Sequence, residues 1–259
     1  MAMIRHASCL VAILVIQGLA QIKTGKPAAY LRQATVIETV GVVHITANSP
    51  RPLLQMLDAL QRRYGWIVGY EDPRYSSHLD LVDVVDNGLP TELPAGGEFS
   101  VEFPASSPKP EKILRLIVDA YNQGKNPGRF ELRRGAEGDF YIAGIAAHNE
   151  KGTMSEQQPM FDAAVTLTTQ ERTIADTLDL ICHAVTAQGQ INIVVGVSPR
   201  TVLEYRTVRI GGTKISAREL LLQCLRATHR NLYWRLLFNP TSNIYFLDIH
   251  SVRLAPDHS

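Results

Sequence analysis

Apolar positions follow two periods along this chain, and the switches between them mark out elements. Val42-Val-His-Ile-Thr-Ala47 is rich in β-branched residues and reads as a strand. After Pro50-Arg-Pro52, residues Leu53, Leu54, Leu57 and Leu60 share one helical face, and Gly65 ends the pattern. Trp66-Ile-Val-Gly-Tyr70 predicts a second strand, closed by an Asp72-Pro73 turn. Phe99-Ser-Val-Glu-Phe103 predicts a third. Pro110 then opens a helix carrying Ile113, Leu114, Ile117, Val118 and Tyr121. Phe130–Arg133 and Phe140–Ile145 predict a hairpin with Gly135 and Gly138 in its turn.

The same order returns from residue 163. Ala163–Thr168 reads as a strand, and Ile174, Leu178, Ile181 and Val185 form a helical stripe ended by Gly189. Ile191–Val197 and Tyr205–Ile210 read as strands. Ser216-Ala-Arg-Glu219 has the form of a capping box, opening a helix with Leu220, Leu221, Cys224 and Leu225. Leu232–Phe238 and Ile244–Ile249 predict a second hairpin, turning at Asn239-Pro240. Leu57 matches Leu178, Ile113 matches Leu220, and Tyr141 and Ile145 match Tyr245 and Ile249. The expected fold class is therefore α+β: two tandem β-α-β-β-α-β-β modules, each with two helices packed on small mixed sheets. The first spans 38–146 with an inserted loop at 74–97. A polar linker covers 147–160, and the second module covers 161–254.

This pattern resembles the short N-terminal domain shared by secretins and TonB-dependent receptors. Thr173–Leu180, the glycine stop, Ile191–Val197, Val208–Ile210, Ile215–Leu222 and the last two strands carry the resemblance in the second half. Pro52–Leu60, Tyr64-Gly65 and Trp66–Val68 carry it in the first. The resemblance implies a periplasmic binding and signalling module, with two helices between small sheets and no catalytic residues. It also implies that the two helices of a module lie side by side, which brings Cys182 and Cys224 within reach of a disulfide. Such a bridge would close a loop of about 40 residues and contribute roughly 3–4 kcal/mol. Gln61 and Ile117 stand at the matching positions of the first half, so its fold needs no bridge. Bridged and free thiols both stay open.

The N-terminus changes the setting. Arg5 precedes the apolar run Cys9–Ile16, with small residues at Gly18 and Ala20, and residues 1–20 read as a signal peptide. The run is shorter than the roughly 20 residues that span a bilayer. The expected location is periplasmic or secreted, with no transmembrane span in the mature chain. Lys plus Arg is 26 and Asp plus Glu is 25, a formal charge of +1, which with export argues against a nucleic-acid partner. The apolar fraction of 45% is that of an ordinary globular chain.

Candidate chemistry is sparse. No His-Glu-x-x-His, Gly-x-Ser-x-Gly or phosphate-loop motif is present. Cys182 with His183, and Cys224 with His229, form a conceivable metal or nucleophile set, read here as packed thiols beside a helix flank and a helix end. Glu71, Asp72, Asp80, Asp83 and Asp86 crowd one region where carboxylates at short spacing suit Ca²⁺. Without the EF-hand spacing, they are read as a solvated loop. Arg206, Arg209, Arg218 and Arg226 are candidates for a basic face meeting an anion or an acidic partner. Trp66 and Tyr70 are candidate aromatic binding residues, weighed against a core role.

The expected function is an exported, non-enzymatic protein-binding or structural module of the cell envelope. It would need no metal and no cofactor. It would dock an envelope protein, such as a component of a secretion or outer-membrane uptake complex, through strand edges. The terminal hairpins are the candidate edges. The alternatives are a small hydrolase or metal-dependent enzyme using the His/Cys or acidic-loop residues, and an anion-binding carrier.

Overall fold

Helices begin and end where local side chains dictate. Helix α1 (Pro52–Tyr64) opens on a proline that lacks an N–H to strand. It closes at Gly65, whose φ of 68° is the left-handed cap that glycine adopts without steric penalty. Helix α5 (Ala217–Ala227) starts at Ser216, whose hydroxyl accepts from the Glu219 N–H at 3.2 Å. The expected box is only half formed, because the Glu219 carboxylate accepts instead from Gln223 one turn on and from Arg226 two turns on. Helices α2 (Pro110–Gln123), α3 (Ile174–Gly189) and the short α4 (Arg200–Glu204) complete the set among the described residues. The structure, a computed structural model, describes residues 33–86, 88–189 and 191–252. The expected signal peptide, residues 1–20, lies outside the described residues.

The fold is mixed α+β. Strands β1 (Thr35–Thr39), β2 (Val42–Ala47) and β6 (Phe99–Pro104) form one small antiparallel sheet in the order β1-β2-β6. Strands β10 (Ala164–Thr173) and β12 (Thr207–Ser216) form another. A seven-stranded sheet holds β3 (Val68–Glu71), β7 (Arg129–Arg134), β8 (Phe140–His148), β9 (Met154–Glu156), β11 (Asn192–Val195), β13 (Leu232–Asn239) and β14 (Ile244–Ser251). Its order is β11-β14-β13-β3-β8-β7, with β9 paired to β8. On one side β3 runs parallel to β8 and β7 antiparallel to it; on the other, β11 runs parallel to β14 and β13 antiparallel to it.

Two apolar clusters fill the interior. Leu57, Leu60, Leu114, Ile117, Phe130 and Ile142 belong to the first, which gathers α1, α2 and the flanking strands. Leu178, Ile181, Leu220, Leu221, Trp234 and Leu247 belong to the second, around α3 and α5. These are the residues that the helical and alternating patterns mark as inward. Each fully buried aliphatic side chain contributes roughly 1.5–3 kcal/mol of transfer free energy.

Several expectations need correction. Residues 147–160, read as a linker, contain β9, paired to β8, and the start of a 3-10 turn (Met160–Asp162). The terminal hairpin β13–β14 is not a free edge, since β3 covers one side and β11 the other. The inserted 74–97 stretch holds a 3-10 turn (His78–Asp80) and a hairpin of β4 (Leu81–Asp86) and β5 (Leu89–Pro94). Its acids are not a solvated loop: Glu71, Asp72 and Asp80 are buried. Asp80 accepts from the His148 backbone N–H at 2.8 Å and lies 2.7 Å from the His148 Nδ1. That pairing pins the insertion to β8. Asp83 does face solvent.

The two halves meet at β3 and β13, where Tyr70 and Glu71 pair with Arg235 and Leu236. Charges concentrate along this seam. The Arg218 guanidinium lies 2.8 Å from both Glu71 and Asp162, and Asp162 also holds Arg133 at 2.5 Å. Arg218 is 3% exposed and stacks over Tyr141 at 4.2 Å. Arg235 reaches back to Asp58 at 3.1 Å and to the Val68 carbonyl at 2.5 Å. Asp72 accepts from Arg51 and Tyr70 and from the Phe238 N–H. Burial pushes the Glu71 and Asp72 carboxyls above their usual range, with Arg218 and Arg51 respectively pulling them back. Backbones approach closely here too, because a Cβ on Gly69 would collide with the Trp234 indole.

Removing one partner from a buried pair strands the other in low dielectric. Arg218→Met is therefore expected to cost about 3–5 kcal/mol, measured by urea unfolding. Gly69→Ala is expected to destabilise by displacing the indole, whereas Arg209→Ala on exposed β12 leaves the midpoint nearly unchanged.

Candidate functional site

Strand β11 ends the large sheet, with β14 on one side and no strand on the other. Its register places Ile193 and Val195 beside Tyr245 and Leu247, toward the second core, and Val194 beside Phe246 on the opposite face. Val194 is 41% exposed and Val197, just beyond the strand, 61%. Its composition sets β11 apart. Every other edge or unpaired-side strand among the described residues carries charge: Glu38 in β1, Glu102 in β6, Arg133 in β7, Glu156 in β9, Glu171 in β10, Lys214 in β12, Asp83 in β4 and Glu92 in β5. Asn192-Ile-Val-Val195 carries none. Charges on edges are the usual protection against unwanted pairing.

A cleft of about 860 Å³ lies over the β13–β14 hairpin, past the C-terminal end of β11. Helix α1 forms one wall with Leu54, Gln55, Asp58 and Arg62, and β5 contributes Thr91 and Leu93. Leu237, Phe246 and Asp248, from the face of β13–β14 that turns away from the second core, line it too, and Gly196 and Val197 mark its β11 end. Most of its polar groups are already engaged. Arg51 lies 3.0 Å from Asp72 and donates to the Phe238 carbonyl at 2.6 Å, and Asp58 holds Arg235. Asp248 accepts the Val197 N–H at 2.7 Å and has no salt bridge among the described residues. Gly196 leaves room for that carboxylate, which a Cβ there would strike. Burial pushes the Asp248 carboxyl above its usual range, while the Val197 N–H, His250 and Arg51 oppose this. Gln55 is 7% exposed; its Nε2 donates to the Asn48 and Pro50 carbonyls, and its Oε1 has no partner among the described residues.

The arginines expected as one basic face do not form one. Arg218 is inside the seam. Arg226 is shared by Glu137, Asp139 and Glu219. Arg206 and Arg209 are exposed, with Arg206 donating to the Ala227 carbonyl and Arg209 opposite Glu171. Tyr70 is 1% exposed and donates its hydroxyl to Asp72, so it is core, not binding surface. Trp66 stacks on Tyr64 at 4.9 Å and packs against the first core. Sequence reasoning missed Gln55, Leu237 and Asp248. The alternation Phe246, Asp248, His250 along β14 was the available signal.

Cys182 and Cys224 sit on neighbouring helices, both buried and both free. Burial pushes each thiol up to about 12. Among the described residues no group of three or more His, Cys, Asp or Glu side chains is placed to hold a metal ion, and no helix is long and apolar enough to cross a membrane. No family model, curated protein or solved structure matches the chain.

The thiol environment predicts the outcome of a simple titration. Ellman's reagent at pH 8 is expected to leave both cysteines unmodified in the folded mature chain and to modify both at once in guanidinium without reductant.

Proposed function

We propose that this chain is an exported, non-enzymatic protein-binding module of the cell envelope that docks an extended segment of its partner along β11 by strand addition. The observation that carries this reading is the contrast between β11, with no charge, and the charged strands at every other described edge. Main-chain groups of the edge other than the Ile193 N–H, which Thr186 Oγ1 accepts at 3.0 Å, would supply affinity.

The same reading takes the architecture as two tandem β-α-β-β-α-β-β modules resembling the secretin and TonB-dependent receptor N-terminal domain. It is supported by the matching pairings of β3, β8 and β7 with β11, β14 and β13. Both halves also place an antiparallel pair, β2–β6 or β10–β12, on the far side of their helices. Periplasmic or secreted placement rests on Arg5 and the Cys9–Ile16 run. A cysteine-based hydrolase is disfavoured because thiols pushed to about 12 are rarely thiolate at neutral pH.

A photo-cross-linking amino acid tests the docking edge. Placed at Val194 in the chain made in its source cells, it is expected to yield a discrete adduct with an envelope protein. Placed at Glu131 on β7, it is expected to yield none. Adducts at Glu131 and none at Val194 would contradict the reading.

A further inference from the structure

Two side chains of opposite charge line the cleft without an ion pair among the described residues, Arg62 on α1 and Asp248 on β14. One oxygen of Asp248 accepts the Val197 N–H, and the other has no hydrogen bond among those residues. The remaining charges of the cleft are engaged within the protein, Arg51 by Asp72 and Asp58 by Arg235. Strand register fixes where the open pair lies. Leu237 faces Phe246 across the hairpin, and Arg235 faces Asp248 two residues further along the same face. Arg235 holds Asp58, and Arg62 follows Asp58 by one turn of α1. The cleft therefore has an apolar end, where Leu54, Leu237 and Phe246 are half-buried. Its other end bears one cation and one anion, on the order of 10 Å apart by helix and strand spacings.

A simple anion there would meet Asp248, and a simple cation would meet Arg62. A ligand with both charges and an apolar body answers all three features. A free amino acid carries both charges on one carbon and cannot span the pair. Two or three peptide residues reach about 7–11 Å at full extension, which matches the separation. The cleft volume, about 860 Å³, is in the range that holds ligands of that size. We propose that the cleft binds a peptide of two or three residues with free termini and apolar side chains, its ammonium on Asp248, its carboxylate on Arg62 and its side chains on Leu54, Leu237 and Phe246. The site is separate from the outer side of β11, and its occupation does not depend on strand addition there.

Calorimetric titration of the mature full-length chain tests this with Leu-Ala-Leu and three relatives. These are the acetylated peptide, which lacks the ammonium, the peptide amide, which lacks the carboxylate, and Ser-Gly-Ser, which lacks the apolar side chains. Leu-Ala-Leu is expected to bind about tenfold tighter than each of them. Asp248→Asn keeps an acceptor for the Val197 N–H and so keeps the fold, checked by circular dichroism. It is expected to weaken Leu-Ala-Leu about tenfold and to leave the acetylated peptide unchanged. Arg62→Gln removes no ion pair within the described protein, and is expected to weaken Leu-Ala-Leu by a similar factor and to leave the amide unchanged. No binding of Leu-Ala-Leu at millimolar concentration, or equal binding of all four peptides, would overturn the proposal. So would variants that weaken the acetylated peptide and the amide alike. The Val194 cross-link reads the β11 edge alone, so strand addition stands or falls separately.

Discussion

The Arg218 guanidinium, held between Glu71 and Asp162 and stacked on Tyr141, is the interaction on which the arrangement of the halves depends. It joins the end of β3 to the start of α5, residues 147 positions apart. Taking a guanidinium and a carboxylate out of water costs several kcal/mol, so such a pair adds little net stability unless its geometry is good. Its value lies in register. Glu71 meets Arg218 where Tyr70 and Glu71 pair with Arg235 and Leu236, so a slip of β3 against β13 would leave two buried charges unpaired. Asp72 tightens the same constraint by accepting from Arg51, Tyr70 and the Phe238 N–H together.

What the sheet leaves exposed follows from that join. Hairpin β13–β14, which would otherwise present an apolar edge, is enclosed by β3 and β11. The edge passes outward to β11, a short uncharged strand, and at the other end to β7, where Arg129, Glu131, Arg133 and Arg134 guard it. The cleft arises from the same geometry: docking the first half beside β13 brings α1 and β5 over the open face of β13–β14. Neither half has this cleft by itself, since Gln55 belongs to one and Asp248 to the other.

Local physics made much of the fold legible. Periodicity located α1, α2, α3 and α5, the strands flanking them, and nearly all of the two cores, because each pattern is written within a few turns of chain. Other features were locally written and still missed. Asp86-Asn-Gly-Leu89, between alternating apolar residues, is a strong two-residue hairpin signal, and it joins β4 to β5. The site was less legible. Glu71 and Asp72 read as a surface cluster because their partners, Arg218 and the Phe238 N–H, are far away in sequence. Arg218 read as part of a basic face for the same reason. An open edge is a property of the assembled sheet, so β11 gave no sign of its position until its pairing with β14 alone was known.

Amide hydrogen exchange at the seam tests the account most directly. The Asp72 N–H donates to the Leu236 carbonyl and the Phe238 N–H to the Asp72 carboxylate, so these two protons report the join itself. Measured by NMR on the mature chain, both are expected to exchange with the slowest core amides, at rates set by global unfolding. Exchange of both as fast as exposed edge amides, with α2 and α5 still protected, would mean that the halves fold without the join, and the cleft derived from it would fall.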